Sequence, residues 1–123
     1  MNITLYGGDF LIGIGKWEGE IITPFFGGKG QLEIKEKDGK YDFIFELPQK
    51  YRNMKIFYRE IREIGTDTLF VKAEADMFPG KVLQIRLTFE KERVYGFIRL
   101  PVMGGYTVQI KNGRRISQAP LQN

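Results

Sequence analysis

The chain contains no cysteine and no histidine. Without cysteine there is no disulfide framework, no thiol nucleophile and no thiolate metal site. Without histidine the commonest general base and the commonest zinc and haem ligand are missing, and so is every Ser-His or Cys-His arrangement. Long apolar runs are missing too. The longest uncharged stretch, 100–110, falls far short of the roughly 18 apolar residues that mark a membrane helix. Residues 1–9 carry no basic region followed by an apolar core, so no secretory signal is expected, and the lack of cysteine agrees with a cytoplasmic location. Among the acids, Glu18, Glu20 and Glu74 sit opposite apolar strand positions and point toward solvent, while Asp76 has no partner at metal-ligand spacing. The expectation is a protein that is not an enzyme, with no cofactor and no metal.

What is present is aromatic and turn-forming. Ten Phe and six Tyr in 123 residues suit strands better than helices, and 15 Gly with five Pro, spread without a period, imply many turns. The length fits one domain, 1–123, with a lead segment at 1–14 and a frayed tail at 118–123. Net charge is +4, but it is uneven. Lys50, Arg52, Lys55 and Arg59 form one acid-free basic patch, and residues 111–123 form another, leaving a mildly acidic body.

Period-two alternation dominates. Trp17, Gly19 and Ile21 share a face in 16–23, Leu32 and Ile34 in 30–37, and Tyr41, Phe43, Phe45 and Leu47 in 41–47. Asp38-Gly39 between the last two runs predicts a hairpin with a type I′ turn. Further strands are expected at 68–75 (Leu69, Val71, Ala73, Ala75), 81–90 (Leu83, Ile85, Leu87, Phe89), 94–100 and 106–111, with a turn at 65–67, a tight charged turn at 91–93 and a loop at 77–80. Asn112-Gly113 predicts a second I′ turn leading into 114–117. Segment 51–64 reads in two ways. Tyr51, Met54, Phe57, Tyr58, Ile61 and Ile64 fit a helix ending at Gly65, whereas a strand over 55–64 would put Lys55, Phe57, Arg59 and Ile61 on one side. Short strands at regular spacing indicate an all-β antiparallel barrel of about eight strands, with room for one short helix.

Gly15-Lys16-Trp17 opens the first good strand after a glycine-punctuated lead. With Asp38-Gly39-Lys40-Tyr41, Leu47-Pro48 and Asp67-Thr68-Leu69, this pattern over roughly 15–116 resembles the lipocalin and calycin superfamily, in particular the small lipocalin-like barrels of bacteria. The resemblance implies a calycin-like barrel in which Trp17 plugs one end, with Arg114 or Arg115 packed across it. The loop signatures and disulfides of secreted lipocalins are not visible, and the haem-binding histidine of nitrobindin-like relatives is absent.

Candidate ligand contacts follow from parity. If Tyr95 and Phe97 face inward, Arg99 must too, where it would clamp a carboxylate or phosphate; if Val94, Gly96, Ile98 and Leu100 face inward, Arg99 is solvated. Arg86 is expected outside. The candidate ligand-binding set is therefore Trp17, Phe43, Phe45, Tyr95, Phe97 and Arg99. Gly27-Gly28-Lys29-Gly30 matches no phosphate-loop pattern and reads as a hairpin loop, with Phe25 and Phe26 before it as lid or core. The functional expectation is a lipocalin-like module holding a small apolar or anionic amphipathic ligand. Two alternatives stay open: an interaction or homo-oligomer-forming domain with a filled core, for which 101–106 is the candidate strip, and a nucleic-acid-binding barrel using the patch of Lys50, Arg52, Lys55 and Arg59. Nucleic acid is the less favoured partner, because Glu60 and Glu63 follow that patch closely.

Overall fold

The computed structural model describes residues 11–22, 27–46, 56–76, 78–101 and 104–117. Nine strands occur among them: β1 (Gly15–Ile22), β2 (Gly27–Lys37), β3 (Lys40–Glu46), β4 (Ile56–Ile64), β5 (Thr68–Ala75), β6 (Leu83–Glu90), β7 (Arg93–Leu100), β8 (Tyr106–Gln109) and β9 (Lys111–Ser117). They form one antiparallel sheet in the order β3-β2-β1-β9-β7-β6-β5-β4, with β8 also paired to β7. The sheet curls into a nearly closed barrel. No helix among the described residues is long and apolar enough to cross a membrane.

The chain runs up and down. Tight turns lie at one end, between β2 and β3, β4 and β5, and β6 and β7. The Asp38-Gly39 turn has the expected positive φ at both residues (55° and 77°), the type I′ signature. Alternation then decides what is buried. Leu69, Val71, Ala73 and Ala75 face the core from β5, Leu83, Ile85 and Leu87 from β6, and Val94 and Leu100 from β7. Burial of each large aliphatic side chain stabilises the fold by roughly 1.5–3 kcal/mol relative to exposure.

Of the two readings of 51–64, the strand holds for 56–64. Three details need correction. Phe57, Arg59 and Ile61 do not share a side, and the helix-like spacing has a specific cause: one extra residue, Arg59, is bulged between the pairs Tyr58↔Ala73 and Glu60↔Lys72. The bulge lets Tyr58 and Ile61, three apart, both pack against the core, while Phe57 and Arg59 point out. Residues 51–55 lie outside the described residues. Second, Asn112-Gly113 is no turn. It sits inside β9, where the register against β1 shifts between Lys111 and Arg114 and Asn112 takes φ 54°. The positive φ that Asn-Gly favours serves a bulge here instead of a hairpin. Segments β8 and β9 thus form one kinked strand around Ile110, whose N–H bonds the Gly96 carbonyl. Third, 27–30 is not a loop but the start of β2, paired residue by residue from Ile22↔Gly27 to Gly19↔Gly30. The expected lid residues Phe25 and Phe26 lie outside the described residues.

β3 and β4 are consecutive in the chain, yet among the described residues no backbone pairing joins them. Side chains close this seam. The Phe43 and Phe45 rings lie 5.3 and 5.8 Å from the Tyr58 ring. The Tyr41 hydroxyl donates to Glu63 at 2.6 Å and accepts the Ile12 N–H at 2.8 Å, which ties the lead segment across the tight-turn end. Burial, and secondarily the Asp42 charge, pushes the Tyr58 hydroxyl well above the usual tyrosine range.

Candidate functional site: an apolar cavity above Trp17

Trp17 forms the floor. Only 2% of it is exposed, and its indole N–H donates to the Gly13 carbonyl at 2.8 Å. The Phe89 ring lies 4.8 Å away, and the Arg115 guanidinium sits 4.3 Å from the centre of the indole. Arg115 also donates to the Ile14 carbonyl at 2.7 Å and lies 3.3 Å from Glu92. Arg114, by contrast, turns outward to Glu18 at 2.6 Å. Parity separates these two neighbours: Arg115 pairs with Trp17 and Arg114 with Glu18.

Above Trp17 the wall loses its side chains. The inward positions after Trp17 and before Leu32 are Gly19 and Gly30, which face each other in register. Across the barrel, Ala73 is the small residue. At this level lies a cavity of about 110 Å³, walled by Ile21, Phe45, Leu83, Ile85, Ile98 and Leu100 among others, with the Ile110 side chain packed against Gly19. Its lining is apolar apart from the backbone and stems of Glu18, Gln31 and Glu46, which belong to outward positions. Such a volume is below the range of about 300–1,000 Å³ that drug-sized ligands occupy. It is close to that of dry apolar cavities, about 150 Å³, that admit a single benzene-sized molecule.

The expected site residues divide. Trp17 and Phe45 line the cavity; Phe43 is buried beside it in the seam. Tyr95, Phe97 and Arg99 do not reach the interior. Val94, Ile98 and Leu100 take the core face of β7, so Tyr95 (47% exposed), Phe97 and Arg99 point outward. An internal anion clamp by Arg99 is therefore absent, and its guanidinium packs instead close to Gly105 in the β7–β8 turn. Arg86 is outside, as expected. In the basic patch, Arg59 pairs with Glu74 on the outer wall; Lys50, Arg52 and Lys55 lie outside the described residues. Alternation assigns Gly19 and Ala73 to inward faces without marking them as borders of a cavity, and Gly30 reads as loop. Their signal was present as small residues at inward positions of otherwise large-residue strands, Trp-x-Gly-x-Ile and Gly-x-Leu-x-Ile.

A second depression, about 340 Å³, lies on the outer wall among Glu18, Glu20, Lys29, Arg93, Asn112 and Arg114. Its acids are engaged internally, Glu18 with Arg114 and Glu20 with the Asn112 amide at 3.2 Å. No group of three or more metal-capable side chains occurs among the described residues. No protein-family model matches the chain, and no curated protein or solved structure is significantly similar to it.

Proposed function

We propose that this barrel is a non-catalytic, lipocalin-like module that holds one small, uncharged apolar ligand, or the apolar end of a larger one, above Trp17. The observation that carries the reading is the cavity itself. Gly19 and Gly30 on one wall and Ala73 across the barrel are the small residues at this level, and about 110 Å³ lies open between the walls. No charged side chain points into it, so affinity would come from burial of apolar surface. What supports the lipocalin-like affiliation is the up-and-down order and the closed end, where Trp17 lies beneath Arg115.

The test uses benzene and benzoate as probes, read by methyl NMR. Benzene should shift the Ile85, Ile98, Leu83 and Leu100 methyl signals in a saturable way, while benzoate, which would have to bury a carboxylate, should not. Ala73→Leu should abolish the benzene shifts. No saturable shift with benzene, or shifts that persist in Ala73→Leu, would refute the reading.

A further inference from the structure

We infer that the outer wall of β4–β7 is a stacking platform for single-stranded nucleic acid. Registers of three strand pairs place Arg62 beside Phe70, Phe70 beside Arg86, and Arg86 beside Phe97. The result is one continuous row of alternating guanidinium and ring across four hydrogen-bonded strands. These residues are far apart in sequence, and no local motif contains them.

The flanking rows extend the chemistry. On one side Lys72 and Arg99 stand either side of Gln84. On the other, Tyr95 precedes Phe97 by two residues on β7 and is 47% exposed. Alternation would ordinarily put polar side chains at these outward positions. Phe70 and Phe97 instead hold apolar rings partly open to solvent. Phe70 already carries one guanidinium, since Arg62 lies 5.6 Å from its ring centre.

Charge selects the partner. Arg62, Lys72, Arg86 and Arg99 face out from this wall against one acid in the same rows, Glu60, which lies 3.6 Å from Arg62 and 3.8 Å from Lys72. Among the described residues neither Arg86 nor Arg99 makes an ion pair with a carboxylate. Guanidinium groups bind phosphate oxygens bidentately, and ring faces stack on any base. Tyr95 and Phe97 are spaced by about 6.8 Å along the strand, and Phe70 and Phe97 by about 10 Å across two strand spacings. Bases splayed from a single strand could therefore lie on successive rings while phosphates follow the arginines. The convex outer wall of a barrel offers no groove for a duplex. This surface is separate from the cavity, so it stands or falls independently of the ligand reading; Arg59, paired with Glu74, stands on the same outer wall.

The experiment is fluorescence anisotropy of labelled oligouridine and oligothymidine of about 15 nucleotides, within the known site sizes of sheet platforms. The full chain is titrated at several salt concentrations from about 50 to 200 mM. With four cations engaged, log affinity should fall with log salt at a slope of about −3, and Arg86→Ala or Arg99→Ala should each flatten it by about 0.7. Phe97→Ala should weaken binding about tenfold at every salt concentration without changing the slope, and Tyr95→Ala, at an exposed site where folding is not at stake, should act in the same direction. Lys35→Ala removes the same charge from the outer wall of β2 and should leave affinity within about twofold, as a surface outside the contact should. Preference for RNA or for DNA would each support the platform. Three results overturn it: no salt-dependent binding to either oligonucleotide, full affinity in both Phe97→Ala and Tyr95→Ala, or equal loss in Lys35→Ala and Arg86→Ala. Binding to phosphatidylserine vesicles that is tighter than to both oligonucleotides, and weakened equally by Phe97→Ala, would assign the wall to a lipid surface instead.

Discussion

Ala73 and Ala75 are two residues apart on β5, both fully buried, and both point inward. They should nonetheless respond oppositely to the same substitution. Ala73 borders the cavity; Ala75 does not, and packs against Leu83, Leu100 and Val108. The space beside Ala73 is lined almost entirely by apolar side chains, so carbons added there would be packed against them. Ala73→Val adds two carbons beside that space, worth about 0.8 kcal/mol each when buried, and its β-branched side chain suits a strand. Allowing for some strain, the expected net gain is about 1 kcal/mol, or about 4 °C in Tm for a domain of this size. Ala75→Val meets a filled core and should cost about 1–3 kcal/mol by overpacking. Urea unfolding followed by Trp17 fluorescence measures both, provided the slope m is unchanged. The reasoning fails if Ala73→Val is the more destabilising of the two, because the void would then not adjoin residue 73.

Further outcomes follow from individual contacts. Arg115→Met removes the guanidinium from the Trp17 ring and strands the Ile14 carbonyl, so it should cost about 2 kcal/mol in urea unfolding. Arg114→Met breaks a mostly exposed pair with Glu18 and should cost less than about 1 kcal/mol by the same assay. Gly96→Ala should prevent folding at 37 °C, seen as loss of native near-UV circular dichroism, because its Cβ would lie 1.8 Å from the Arg86 carbonyl oxygen across the β6–β7 pair. Tyr58 holds its proton more tightly folded than unfolded, so its contribution is intact below about pH 10 and is lost as pH rises beyond it, by about 1.4 kcal/mol per pH unit. Tyr58→Phe should therefore show a shallower loss of stability between about pH 10 and 11 in parallel urea titrations.

Much of the barrel was legible because alternation is local. Trp17, Phe43, Leu69 and Leu83 needed only their own strands to be assigned inward, and Asp38-Gly39 needed only its φ requirement. What misled was an extra residue. Arg59 bulging from β4 turned a two-residue period into an apparent helical one, and the bulge at Asn112 borrowed a turn's sequence for the middle of a strand. A bulge depends on what the partner strand offers opposite it, and local periodicity carries no such information. The face of β7 failed for a related reason. Val94-Tyr95-Gly96-Phe97-Ile98-Arg99 alternates aliphatic with aromatic side chains, so hydrophobicity alone permits either parity. The approach of β7 to β6 removes the ambiguity. Gly96 sits opposite buried Leu87 and Ile98 opposite buried Ile85, which sets Tyr95, Phe97 and Arg99 opposite the outward Thr88, Arg86 and Gln84.

That forced parity joins the two surfaces proposed for this barrel. The small residues that open the interior and the rings that emerge on the wall are both consequences of which way a strand faces once its neighbour is in place. Gly19 and Gly30 thin the wall at one level only because register sets them opposite each other, and Phe70, Arg86 and Phe97 form a row only because two registers agree. A one-residue slip of β6 against β5 and β7 would bury Arg86 and expose Ile85, at a cost of several kcal/mol for the uncompensated charge. The row is thus held by the same apolar alternation that fills the core. Substitutions in the row that leave the inward residues untouched should therefore change binding by the outer wall without changing the benzene response of the cavity. Coupled loss of both in Phe97→Ala, with Tm unchanged, would show that the wall and the interior are not independent.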